Sequence, residues 1–132
     1  MPTYIPILTN PSIRASHSDL IDFKWRNDGV SASFVVPGVQ DQALRVRFDC
    51  QCIVRLLDEM PLSTEPEDSP VEGLVSDHFA YVVEGARFWS DQSEAFKAVF
   101  PTAKHFRFVT GWTCLDVIAS VEPDFRLVPS NA

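Results

Sequence analysis

The sequence predicts an α+β domain, mainly β: an antiparallel sheet of about six or seven strands, open or partly closed, with one helix at about 91–100. Three observations predict it. Residues 44–57 (LRVRFDCQCIVRLL) place Leu44, Val46, Phe48, Cys50, Cys52, Val54 and Leu56 on alternate positions. That period of two marks a strand with one dry face and one wet face. Further alternating runs are separated by glycine-containing turns, and only one stretch carries an apolar stripe at helical spacing.

Taken in order, Tyr4, Ile5, Ile7 and Leu8 suggest a short edge segment in which Pro6 is tolerated. Ile21, Phe23 and Trp25 alternate with Asp22, Lys24 and Arg26, a strand. Asn27-Asp28-Gly29 supplies a tight hairpin turn. Val30, Ala32, Phe34 and Val36 alternate with Ser31 and Ser33 on the returning strand, and Pro37-Gly38 marks the next turn. These strands and the 44–57 stretch should form an antiparallel meander. Fourteen residues exceed an ordinary strand, and Ile53 and Leu57 break the alternation, so a bulge or bend is expected near Ile53.

Residues 78–88 (HFAYVVEGARF) carry apolar side chains on both faces, which predicts a strand covered on both sides. Ser90-Asp91 reads as a helix N-cap, followed by the stripe Ala95, Phe96, Val99 and Phe100, with Pro101 ending the helix. Residues 105–109 predict a strand, Thr110-Gly111 a hairpin or bulge, and Leu115, Val117 and Ala119 the strand that follows. Residues 125–128 form the last strand.

The chain of 132 residues fits one domain, 1–132, and its 45% hydrophobic content suffices for a core. Its net charge of −7 is localised. Residues 58–77 hold seven of the eighteen acids and no Lys or Arg, so the remainder, with eleven of each sign, sums to zero. This segment reads as a long acidic surface loop at about 58–77. The chain lacks the basic footprint of a nucleic-acid binder. Its apolar runs are too short for a membrane span, and its N-terminus has no basic n-region. Three cysteines show no disulfide framework, so a reducing, cytoplasmic setting is expected.

No complete catalytic, phosphate-binding or metal-binding motif is present. Cys50-Gln51-Cys52, with Cys114 and His105, would supply four metal ligands, but only one short pair exists and its thiols lie on the dry face. They read as core thiols, with no metal and no cofactor expected. Cys114 and His105 contain the types of a thiol nucleophile and its base, yet nothing in the spacing joins them. Asp116, a charge among apolar neighbours, needs a partner if buried, and Arg107 or Arg47 would serve. Trp89 and Trp112 read as core-capping aromatics or interaction anchors.

The leading expectation is a non-enzymatic module that binds a basic protein through Glu65, Glu67, Asp68 and Glu72. The alternative is a small-molecule or enzymatic pocket on the sheet, with Tyr81, His105 and Trp112 as ligand-binding residues. A homo-oligomer formed through a strand edge is a third reading. In size, acidity, single α+β domain and lack of an assembled active site, the chain resembles small bacterial immunity proteins. That resemblance implies inhibition of a toxin by direct binding.

Overall fold

The computed structural model describes residues 2–50, 53–58 and 72–130. The described strands are β1 (Thr3–Pro6), β2 (Leu20–Arg26), β3 (Gly29–Val35), β4 (Gln42–Phe48), β5 (Ile53–Asp58), β6 (Ala80–Glu84), β7 (Lys104–Val109), β8 (Thr113–Ala119) and β9 (Asp124–Pro129). Two short helices, α1 (Arg87–Ser90) and α2 (Glu94–Val99), lie between β6 and β7. The mainly β, α+β class stands. The strands, however, form two antiparallel sheets rather than one: β2-β3-β4-β9 and β1-β6-β7-β8-β5. No described helix is long and apolar enough to cross a membrane.

The expected meander of β2, β3 and β4 is present, with Trp25 opposite Val30 and Phe34 opposite Leu44. At the β2–β3 turn a side chain on Gly29 would meet the Phe48 carbonyl oxygen at 2.1 Å, so β4 closes on the turn only because the Cβ is missing. The 44–57 stretch is not one strand. It ends its first sheet at Phe48 and enters the second at Ile53. A chain crossing between facing sheets keeps its apolar side toward their shared interior. The period of two therefore carries no mark of the crossing.

That interior is filled. Phe34, Leu44, Val46 and Phe48 from one sheet pack with Phe79, Phe106, Phe108 and Val117 from the other. Phe34 meets Phe79 edge-on at 4.8 Å between centroids, and Phe48 lies 5.2 Å from Phe106. Both distances suit attractive aromatic pairs. The central strands β7 and β8 are buried on both faces. Their second face, turned away from the other sheet, carries His105, Arg107, Cys114 and Asp116, with Tyr4, Tyr81 and Val83 from β1 and β6.

α1 lies over part of this second face, bringing Phe88 to 5.2 Å from His105. The helix expected at about 91–100 is shorter and starts later. Ser93, not Ser90 or Asp91, is its cap, with Oγ accepting from Phe96 N at 3.0 Å. The Ser90 hydroxyl instead donates back to Arg87 O within α1. The six-residue α2 leaves Ala95 and Val99 of the expected stripe exposed, and Phe96 packs with Trp89 and Phe100. Covered on both sides as expected, β6 ends at Glu84, because Gly85 and Ala86 turn the chain into α1.

Candidate functional site

Strand pairing builds one concentrated group of polar side chains. Asp116 on β8 lies directly opposite Arg107 on β7 and Arg55 on β5, so one carboxylate sits between two guanidinium groups in a row across the sheet. Arg107 Nε donates to Oδ1 at 2.7 Å, and Arg55 Nη2 donates to Oδ2 at 2.7 Å. His105, two residues along β7 from Arg107, places Nε2 2.6 Å from Oδ1. The Cys114 thiol points at Oδ2 from 3.8 Å. Arg107 also donates to the Tyr4 hydroxyl. Arg55 lies beneath the Phe88 ring, 4.5 Å from its centroid.

The centre of this group is sealed. Asp116 is 0% exposed, and His105 and Arg107 are buried. Burial pushes the Asp116 carboxyl up, but the His105 hydrogen bond and the Arg107 charge outweigh it and hold the group well below the carboxylate range. Arg107 is opposed by burial and supported more strongly by the Asp116 charge, so it stays charged. Burial and the neighbouring carboxylate push the Cys114 thiol up to about 12. Because a carboxylate accepts, His105 Nε2 carries the hydrogen. His105 Nδ1 is buried with no hydrogen-bond partner among the described residues. The network thus places a hydrogen on His105 Nε2.

Chemically this is a clamp. A nucleophilic cysteine needs its thiolate and a base in contact. Cys114 is held as a thiol and points at Asp116, while His105 spends its Nε2 hydrogen on the same carboxylate. The metal arrangement raised by Cys50-Gln51-Cys52 is also not assembled among the described residues, where no group of three ligands occurs. Cys50 packs against the core between the sheets, whereas Cys114 lies on the opposite face of the five-stranded sheet. Cys52 lies outside the described residues.

The ionic role expected for Asp116 is met by Arg107. Arg47 instead pairs with Asp49 and, at 3.7 Å, with Asp28. Arg55 and Tyr4 were not legible as members. The available signal for Arg55 was a lone base inside the apolar run 53–57, the counterpart of Asp116 inside its own apolar strand.

The pocket residues are only partly brought together. Tyr81 and His105 share the outer face of the five-stranded sheet, but Tyr81 is buried and its hydroxyl is used by the Val75 backbone, donating to O at 2.9 Å. Trp112 is 68% exposed in the β7–β8 turn, at the opposite end of β7 from His105. It joins neither residue and caps no core. A surface groove of about 430 Å³ does reach His105, between Val82, Val83, Trp89 and Ala103, with Lys104 and Glu84 on it.

Of the acidic residues, Glu65, Glu67 and Asp68 lie outside the described residues. Glu72 is exposed, and its backbone is fixed beside β1: its N–H donates to Pro2 O at 3.0 Å and its carbonyl accepts from Tyr4 N at 2.7 Å. The chain matches no family model, no curated protein and no solved structure.

Proposed function

We propose that this chain is a non-enzymatic protein-binding module whose acidic segment, residues 58–77, engages a basic partner protein. The observation that carries this reading is the separation of charge: seven acids and no base in one segment, against a remainder that sums to zero. Such a segment steers a partner of opposite sign and raises its association rate more than its affinity. The Asp116 group supports the reading from the other side, since its carboxylate is taken up by Arg55, His105 and Arg107 and its thiol is held protonated. The free thiol of Cys114 accords with a reducing compartment.

The test is capture with wild-type protein and with a variant carrying Glu65, Glu67, Asp68 and Glu72 all changed to Gln. A basic protein retained by the first and lost by the second supports the reading. Its measured association rate should fall in the variant, most at low salt, because screening shortens to about 8 Å at physiological ionic strength. Equal capture and equal low-salt rates would defeat it.

A second reading, small-molecule binding, draws on the groove between Trp89 and His105. Its largely apolar walls with a few polar groups are the usual makeup of a ligand site. Aromatic fragments that shift the Trp89 indole resonance in wild type, and fail to bind a Val83→Arg variant, would favour it.

A further inference from the structure

Among the described residues β2 is an edge strand, paired with β3 on one side only. Edge strands are usually blunted by proline, charged side chains, bulges or covering segments. β1 carries Pro6 and is flanked by the Glu72 backbone, and β9 ends at Pro129. β2 is seven residues long with neither Pro nor Gly. Its one irregularity lies between Leu20 and Asp22, so residues 22–26 run straight against β3. Over this straight stretch exposed charges, Asp22, Lys24 and Arg26, alternate with two aromatic rings. Trp25 is 60% exposed and stands edge-on to Phe23 at 6.4 Å.

We infer that β2 pairs with β2 of a second copy, antiparallel about a twofold axis at Lys24, joining two four-stranded sheets into one. Residues 22–26 are self-complementary in that register. Asp22 falls opposite Arg26 of the second copy, and Phe23 falls opposite Trp25 of the second copy, each pair made twice by symmetry. The two kinds of pair occupy different faces. Asp22, Lys24 and Arg26 belong to the outer face, in register with Ser33, Ser31 and Gly29, while Phe23 packs toward the core. Opposite charges therefore meet on the wet side and aromatic rings on the dry side. Arg26 is exposed in the single chain, and the contact sets it against a carboxylate. Lys24 faces its own copy, but each Lys24 already lies 3.6 Å from its own Asp22. The rival register, centred on Phe23, sets the irregular Ile21 against Trp25 and is disfavoured for that reason.

A single strand pair buries little area, so the association should be weak and concentration-dependent. Sedimentation equilibrium of the full chain from about 1 μM to about 1 mM tests it. The mass should rise from 14.8 kDa toward twice that value. Asp22→Arg alone and Arg26→Asp alone should each hold the protein at one chain, and the double variant, with unchanged composition of charge, should restore the dimer. Trp25→Ala should weaken it at least about tenfold, as for a central aromatic anchor. All these positions are exposed in the single chain, and circular dichroism confirms that each variant is folded. A wild-type mass fixed at one chain, or single-charge variants that dimerise like wild type, would overturn the inference. So would a folded double variant that stays monomeric, since only the register about Lys24 makes Asp22 and Arg26 partners.

Discussion

Arg55 and Asp116, 61 residues apart in the chain, lie directly opposite each other on β5 and β8, joined by Nη2–Oδ2 at 2.7 Å and Nε–Oδ2 at 3.1 Å. Arg107 completes the row from the other side. β5 is one edge of the five-stranded sheet and reaches it only by crossing from the other sheet after Phe48. The ionic row therefore ties the crossing strand to the two strands at the centre of the fold. A displaced β5 would leave Asp116 one partner short.

Removing the carboxylate should be severe. Asp116→Asn leaves Arg107 buried without its anion, and breaking a buried pair from one side costs about 3–5 kcal/mol. Urea unfolding is the measurement. Arg55→Met should cost clearly less, because the Arg55 side chain is 22% exposed and water shares its role. Replacing Asp116 and Arg107 together by apolar residues should cost less than the two single losses combined, since neither variant then carries a lone buried charge.

Acid stability follows from the same group. The folded pKa of Asp116 lies below its ordinary 3.8, so the stabilisation is complete above that pH and is lost as pH falls further, toward the folded value. Asp77 acts in the same direction: Ser16 donates to it from backbone and side chain, with Arg14 adding charge. Urea midpoints should thus decline steeply below pH 3.8. Asp116→Asn should flatten that decline without abolishing it. A wild-type midpoint constant through this window would contradict the assignment of a charged, buried carboxylate.

The thiols should separate by reactivity. Cys114 is fully buried and pushed up to about 12, so its thiolate is scarce at any ordinary pH. Cys50 is half-buried two residues beyond the end of β4. Iodoacetamide at mildly alkaline pH, read by peptide mass mapping, should modify Cys50 in the native protein and Cys114 only after denaturant is added. Equal rates at the two positions would place Cys114 in reach of solvent.

Much of the four-stranded sheet was legible, because β2, β3 and β4 each have one dry and one wet face and are joined by short turns. Val46 and Phe48 are buried as their positions demand, and Val54 is half-buried. The division into two sheets was not legible, since alternation reports which way a side chain faces and not which sheet it belongs to. The same limit hid the charged group. Asp116 stood out as a carboxylate among apolar residues, and adjacency on a hairpin made Arg107 a natural partner. Arg55 comes from a strand far away in sequence, and pairing between distant strands leaves no local signature. His105 and Cys114 invited a catalytic reading by residue type alone. Only the shared carboxylate between them shows that each is held by Asp116 and not by the other.

The end of the acidic segment separates anchoring from charge. Gly73 has φ +85°, and a Cβ there would sit 2.0 Å from the Tyr4 carbonyl oxygen. Only glycine lets the chain come this close to β1, where Glu72 exchanges backbone hydrogen bonds with Pro2 and Tyr4. Gly73→Ala should therefore lower stability by about 1–3 kcal/mol, through left-handed strain and a forced retreat from β1. Tyr4 accepts from Arg107, so the disturbance reaches the Asp116 group. Changing Glu65, Glu67, Asp68 and Glu72 to Gln touches only side chains and should stay within about ±0.5 kcal/mol per site. Thermal unfolding of both proteins provides the comparison. If the Gln variant lost as much stability as Gly73→Ala, the acids would be part of the scaffold. Slower partner association in that variant would then reflect a damaged fold, and the electrostatic reading of the segment would lose its support.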